Sequence, residues 1–338
     1  MRKRIVYVEH ESEVLKQNPL GDPYRRSLPV YLPPLYESTP ESRFPVIWVL
    51  APFAGWGERY FNLSAWDANI VERMDRLIDE GKAAPAILAF PDCFTRYGGS
   101  QYRNSSAVGQ YEDYLVRELV PFVDANFRTL PSAEHRGVMG HSSGGYGALA
   151  LTFSHSDVFG AAASHSGDMF FEYCYQPDFP PAIREFERAG GLADFLHELM
   201  NLTHVRGKGS DWFKALNTVA MSAAYSPNPY DPNGFDLPFD PYTGAILEAV
   251  WARWKALDPI SMAPGCVDAL KKMRAVYFDC GINDEYNLFL GARALHQILS
   301  EHGVPHIFEE HDGGHRYINW RYEVSLPVLT QALSPQNG

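Results

Sequence analysis

The amino-acid sequence predicts an α/β fold, a mostly parallel central sheet with helices on both faces. Three observations carry that prediction. Apolar, strand-like runs alternate with helix-like segments between Phe44 and Ser164. The alternation resumes at Arg274–Cys280 and continues towards the C-terminus. Between two such strands, Gly140-His141-Ser142-Ser143-Gly144 stands where a strand gives way to a helix. Strands separated by helices pair in parallel, because the intervening helix returns the chain to the end of the sheet where the previous strand began.

The elements follow in order. Arg4–Val8 and Ser27–Leu32 have the prolines and alternation of an antiparallel edge. Phe44–Leu50 is apolar almost throughout, as a strand covered on both faces must be. A glycine-containing loop, APFAGWGERYFN, leads to a helix expected at about 64–80 and closed by Gly81. Ala84–Phe90 is the next buried strand, followed by a long polar loop over residues 91–110 of the kind that usually carries function. Tyr111–Phe127 places Tyr114, Leu115, Leu119, Phe122 and Val123 at helical spacing, with Pro121 as a source of a kink. The strand ending in Val138 and Met139, its helix (about 143–155) and a strand at Phe159–Ser164 come next. Near the end, helices are expected at about 286–302 and 316–333, with the strand His306–Glu310 between them.

Residues 169–260 interrupt this rhythm with many prolines and aromatics, and helices are expected near 181–201, 210–222 and 244–256. The expected division is a core of residues 1–168 and 261–338, with 169–260 as a cap over the carboxyl edge of the sheet. The number of aromatics suggests that some face a pocket. Packing the cap onto the sheet, or a homodimer contact, is the competing use for them.

Composition narrows the function. Of 338 residues, 46% are hydrophobic, enough for a substantial core, and Lys+Arg 29 against Asp+Glu 41 gives a net charge of −12. Such a chain is a poor ligand for nucleic acid or an anionic membrane. The opening MRKRIVYVEHESEV has no apolar run behind its basic residues, so no secretory signal is expected. No apolar run reaches the roughly 18 residues of a membrane span. Cys93, Cys174, Cys266 and Cys280 are widely spaced and lack a C-x-x-C, which points to free thiols and a cytoplasmic setting.

The G-x-S-x-G sequence has the context of a nucleophile elbow, which lifts a serine clear of the sheet on a sharp strand-to-helix turn. Gly140 and Gly144 flank Ser142 because side chains there would clash. Ser143 opens the helix, where free N–H groups and the helix dipole favour an oxyanion. A serine nucleophile needs a base, and the base needs an acid to fix its tautomer. Among the later histidines, His315 lies on the turn Asp312-Gly313-Gly314-His315 between a late strand and the last helix, with His311 as the alternative. The acid is expected after the Arg274–Cys280 strand, at Asp284, with Asp279 and Glu285 as alternatives. The second oxyanion donor falls in Ala51-Pro52-Phe53-Ala54-Gly55. Pro52 has no N–H, which leaves Phe53, then Ala54. Trp56, Tyr102, His141 and Tyr175 are the candidates for substrate contact.

These residues resemble the esterase branch of the α/β-hydrolases, which includes S-formylglutathione hydrolase (esterase D), feruloyl esterases, enterochelin esterases and mycolyltransferases. The resemblance covers about 25–168 and 272–322 and rests on Val30-Tyr31-Leu32-Pro33, Pro91-Asp92 with Ser100–Asn104, Glu118-Leu119 with Pro121, Gly140–Gly145, Gly281-Ile282-Asn283-Asp284, and Gly314-His315 with Trp320. It implies an α/β-hydrolase fold and a serine carboxylesterase that acts on a small-molecule ester through Ser142, His315 and Asp284, with no cofactor or metal. Acyl transfer with the same three residues, or a non-catalytic binding protein on the same fold, are the alternatives. Ala51-Pro52 departs from the His-Gly common at this place in the family, and the 169–260 insertion has no counterpart from which a substrate could be inferred.

Overall fold

The computed structural model describes residues 4–335. Among the described residues there are ten strands: β1 (Ile5–Glu11), β2 (Arg25–Tyr31), β3 (Val46–Leu50), β4 (Ile87–Ala89), β5 (Asn104–Ser105), β6 (Gly109–Gln110), β7 (Arg136–His141), β8 (Ala161–His165), β9 (Ala275–Gly281) and β10 (Ile307–His311). Eight of them form one sheet in the order β1-β2-β4-β3-β7-β8-β9-β10, and β5 and β6 make a separate small hairpin. The β1–β2 and β2–β4 pairs are antiparallel and all later pairs in the large sheet are parallel.

The continuous hydrophobicity of the central strands follows from their two covered faces. Along β3, Val46, Trp48 and Leu50 enter one core and Ile47 and Val49 enter the other. Strand β4 divides Ile87 and Ala89 from Leu88 in the same way. The first core packs under the Ser143–Ser154 helix, and the second is closed by the helices Ile70–Asp79 and Tyr322–Leu333. With period 2 and both faces apolar, no alternation survives in the sequence.

Several boundaries differ from expectation, each for a local reason. The helix expected from about 64 begins at Ile70, because the Asn69 side chain accepts from Val71 and Glu72 N–H and Glu72 returns a bond to Asn69 N–H. The stretch 181–201 is two helices, Phe179–Ala189 and Leu192–Met200, separated by Gly190 and Gly191 at φ 104° and 133°. The third helix of that region is shortened to Glu248–Lys255, because Ile246 pairs with Phe239 in an isolated β-bridge. The Tyr111–Asn126 helix contains a π-turn over Tyr114–Leu119, in which Val120 N–H reaches back to Leu115. Pro121, which has no N–H to give, follows at once.

Residues 169–260 leave the sheet after β8 and return before β9. The two ends of the excursion are tied by one carboxylate. Asp258 accepts from Phe170 N–H at 3.0 Å, Phe171 N–H at 2.7 Å and Ile260 N–H at 3.1 Å, and burial pushes its pKa up to about 6 against those bonds. The aromatics of this region pack mainly against one another. Phe171 stacks on Tyr225 at 5.1 Å, Phe179 meets Phe239 at 4.7 Å and Phe186 meets Phe195 at 5.2 Å. They join the same apolar cluster as Trp48 and Tyr146, so the region and the sheet share a core. The expectation of a surplus of pocket-facing rings thus gives way largely to packing.

Candidate active site

Ser142 follows β7 directly at φ 57° and ψ −124°, a conformation unfavourable for a residue with a side chain. It is held there by Ser142 N–H to His165 O at 3.0 Å and Tyr146 N–H to Ser142 O at 2.8 Å. A Cβ on Gly140 would come within 2.4 Å of Gly144 backbone atoms, and one on Gly144 within 2.2 Å of Leu50 O. The tight turn therefore needs glycine at both flanks, as the motif implied.

The Ser142 hydroxyl lies 3.0 Å from His315 Nε2, and His315 Nδ1 lies 2.8 Å from Asp284 Oδ2. His315 and Asp284 are both buried. Asp284 is fixed in turn by Tyr286 N–H at 2.9 Å and faces the Cys280 thiol at 3.7 Å. The alternatives are engaged elsewhere. Asp279 lies opposite His165 in the β8–β9 register and binds its Nδ1 at 3.0 Å. Although burial alone would raise it, His165 and the Arg321 guanidinium hold the Asp279 carboxyl at about 2. Glu285 accepts the backbone N–H of His315 at 2.7 Å, so it grips the loop of that histidine. His311 takes Gly313 N–H on Nδ1 at 3.2 Å and packs edge-on to Trp320.

The two expected oxyanion donors are backbone N–H groups, one next to the serine in sequence and one in the loop after β3. Ser143 is the first residue of its helix, where an N–H has no intrahelical partner. In the loop after β3, Ala54 N–H is committed to Gly98 O at 2.7 Å, which leaves Phe53 N–H as the available donor. The loop is pinned from below by Tyr102, whose buried hydroxyl donates to Ala51 O at 2.6 Å. Tyr102 was expected at the substrate; its ring instead packs where a Cβ on Gly147 would stand. Trp56 is half exposed, edge-on to Phe94 at 5.5 Å, at the outer end of the same loop. His141 turns towards His315: its Nε2 is 2.9 Å from His315 O. It also borders a polar cavity of about 220 Å³ lined by Pro52, Arg59, Asn62, Asp67 and Asn319.

The sequence reading missed a second carboxylate. Asp168, just past the end of β8, has Oδ1 3.5 Å from Ser142 Oγ, while its Oδ2 accepts from Ser143 Oγ at 3.1 Å, Tyr175 OH at 2.9 Å and Gln101 Nε2 at 3.2 Å. Tyr225 OH completes the group by accepting from Gln101 Nε2 at 3.0 Å. Tyr175, a predicted contact residue, thus reaches the site through Asp168. The approach depends on two glycines without side chains: a Cβ on Gly145 would come within 2.8 Å of Gly167 Cα. Burial raises the Asp168 carboxyl above its usual range, against the Tyr175 hydrogen bond and the charge of His315. One signal could have found it, namely that β8 neighbours the elbow strand and that ligands bind at the carboxyl ends of such strands.

A mostly parallel sheet that presents a serine on its strand-to-helix turn makes this protein an α/β-hydrolase. Comparison with known proteins takes the assignment further: residues 23–326 match the family described as "Putative esterase", and the chain belongs to that family. It is 28% identical over 257 residues to Esterase Rv1288 of Mycobacterium tuberculosis, covering 74% of this chain and 46% of that protein. A 29% identity over 219 residues links it to an endo-1,4-beta-xylanase/feruloyl esterase of Xylanibacter ruminicola, covering 57% of this chain and 28% of that one. The chain therefore spans less than half the length of these curated relatives. Among solved structures, a ferulic acid esterase superposes with TM-score 0.62 at 20% identity, covering 97% of this chain and 98% of the other. An S-formylglutathione hydrolase from Agrobacterium tumefaciens superposes with TM-score 0.59 at 15% identity, covering 98% and 95%. Among the described residues, no helix is long and apolar enough to cross a membrane.

Proposed function

We propose that this protein is a serine carboxylesterase that cleaves a small-molecule ester through an acyl-enzyme. The observation that carries the reading is the chain of contacts from Ser142 Oγ to His315 Nε2 at 3.0 Å and from His315 Nδ1 to Asp284 at 2.8 Å. Ser142 Oγ attacks the ester carbonyl while His315 Nε2 takes its proton. The developing oxyanion is received by the N–H groups of Ser143 and Phe53. His315 returns the proton to the leaving alcohol, and the acyl group stays on Ser142. Water then attacks with His315 again as base, the carboxylic acid leaves and Ser142 recovers its proton. Asp284 orients His315 and stabilises its charged form.

In this reading residues 1–168 and 261–338 supply the catalytic core, and residues 169–260 form a fixed roof that supplies Tyr175 and Tyr225 behind the nucleophile. The test is turnover of p-nitrophenyl acetate by wild-type protein and Ser142→Ala, together with covalent labelling by a fluorophosphonate. Loss of both activity and labelling in the variant supports the assignment; equal rates in the two proteins remove it.

A further inference from the structure

The carboxylate of Asp168 stands beside the nucleophile with no part in the steps above. Its two oxygens are used unequally. Oδ2 is saturated by three donors, Ser143 Oγ, Tyr175 OH and Gln101 Nε2, at 2.9 to 3.2 Å. Oδ1 has the Ser142 hydroxyl at 3.5 Å, and the single proton of that hydroxyl is directed to His315 Nε2 at the shorter 3.0 Å. Asp168 is 7% exposed, so Oδ1 is a buried acceptor short of a donor. Leaving such an oxygen unpaired is costly. A second atom of the group is in the same position: Gln101 Oε1 is buried without a partner, in a residue 1% exposed and held at φ 52°. Next to the nucleophile, therefore, two buried acceptors, Asp168 Oδ1 and Gln101 Oε1, are short of donors.

We propose that Asp168, backed by Gln101, is a recognition site for a hydroxyl or amino group carried next to the reacting ester, so that the protein prefers hydroxy or amino esters to plain aliphatic ones. The inference rests on the esterase reading above. Distance sets where the donor must sit. A hydrogen bond to Oδ1 spans about 2.7–3.0 Å, and Oδ1 is 3.5 Å from the atom to which the acyl group becomes attached. A donor on the carbon beside the carbonyl, or on the second carbon of the alcohol, meets both distances. A longer chain would carry its donor past the carboxylate. The same charge repels a substrate carboxylate in that place, in a chain whose net charge is already −12. Tyr175 and Ser143 keep Oδ2 occupied and so aim Oδ1 at the substrate, which gives residues outside the reacting set a role in selectivity.

The experiment compares kcat/KM for two matched pairs in wild type, Asp168→Ala and Asp168→Asn. Phenyl glycolate against phenyl propanoate probes the acyl side, and 2-hydroxyethyl acetate against propyl acetate probes the alcohol side. Rates are normalised to active sites counted with a fluorophosphonate, so a variant that folds poorly loses sites without changing its ratio. The hydroxy-to-plain ratio of at least one pair should fall about tenfold or more in Asp168→Ala. Asp168→Asn, which keeps an acceptor oxygen, should fall between the two. Ratios within about twofold of wild type in both pairs overturn the recognition role and leave the esterase standing. A wild-type protein that cleaves none of the four esters and takes no label overturns the esterase reading, and this inference with it.

Discussion

His141 Nε2 donates to the backbone carbonyl of His315 at 2.9 Å, so the residue before the elbow serine holds the chain of the proposed base. The two rings lie 4.7 Å apart. Burial, reinforced by the charge of His315, holds the His141 pKa well below the ordinary histidine range. At neutral pH it is therefore an uncharged donor, and in the proposed mechanism no second cation competes with the imidazolium on His315. Replacing it should loosen His315 without removing any reacting atom. His141→Phe is expected to lower kcat about 10- to 100-fold with little change in KM, and His141→Gln, which keeps a donor, to lose less. Steady-state kinetics on one ester check this; a His141→Phe enzyme with wild-type kcat would show the contact to be dispensable.

For the proposed triad the expected losses are larger. Ser142→Ala, His315→Ala and Asp284→Asn should each lower kcat by on the order of 10⁴. The three effects should not add, because the residues act as one unit. A double variant as slow as either single one, with an unchanged thermal transition, is the result to look for.

The elbow makes a stability prediction as well. A Cβ on Gly144 would stand 2.2 Å from Leu50 O, which belongs to the neighbouring strand and cannot rotate aside. Gly144→Ala should cost about 3 kcal/mol of stability and also displace the oxyanion donors. Urea unfolding measures the first effect and kcat the second. A variant as stable and active as wild type would contradict the packing described here.

Two buried carboxyls should set opposite pH dependences. Asp178 is pushed up to about 6 by burial, against a hydrogen bond from Asn217. Its folded form binds a proton more tightly than the unfolded chain does. Stability should therefore fall as pH rises from about 4 through 6, by on the order of 2–3 kcal/mol for this group. Asp178→Asn should make the fall shallower, leaving the share of Asp258, which burial also pushes up to about 6. Asp279 is held at about 2, so its contribution is present above about pH 4 and is lost as pH falls towards 2. Asp279→Asn should cost about 3 kcal/mol at neutral pH by leaving buried charge on Arg321 less well paired. Urea titrations across pH check both signs, and a parallel shift of wild type and Asp178→Asn at every pH would remove the first.

The parts of this protein readable in the sequence are those governed by neighbours along the chain. The two-sided strands β3 and β7, the glycine-flanked Ser142 and the turns that carry Asp284 and His315 are all local patterns of size, polarity and backbone freedom. Where reading along the chain fell short, the cause was again local, as with the Asn69 cap that delays a helix or the Gly190-Gly191 break that divides one.

Tertiary structure decided what depends on register and on approach between distant segments. Asp279, Asp284 and Glu285 are equivalent by sequence distance, and the β8–β9 register sends the first to His165, while the turn after β9 sends the second to the imidazole and the third to a backbone N–H of His315. The grouping of Asp168 with Gln101, Tyr175 and Tyr225 joins residues up to 124 positions apart. Nothing in the composition of those segments announces it, because a buried hydrogen bond is specified by where two backbones pass one another, here the close approach of Gly145 and Gly167 beneath the nucleophile.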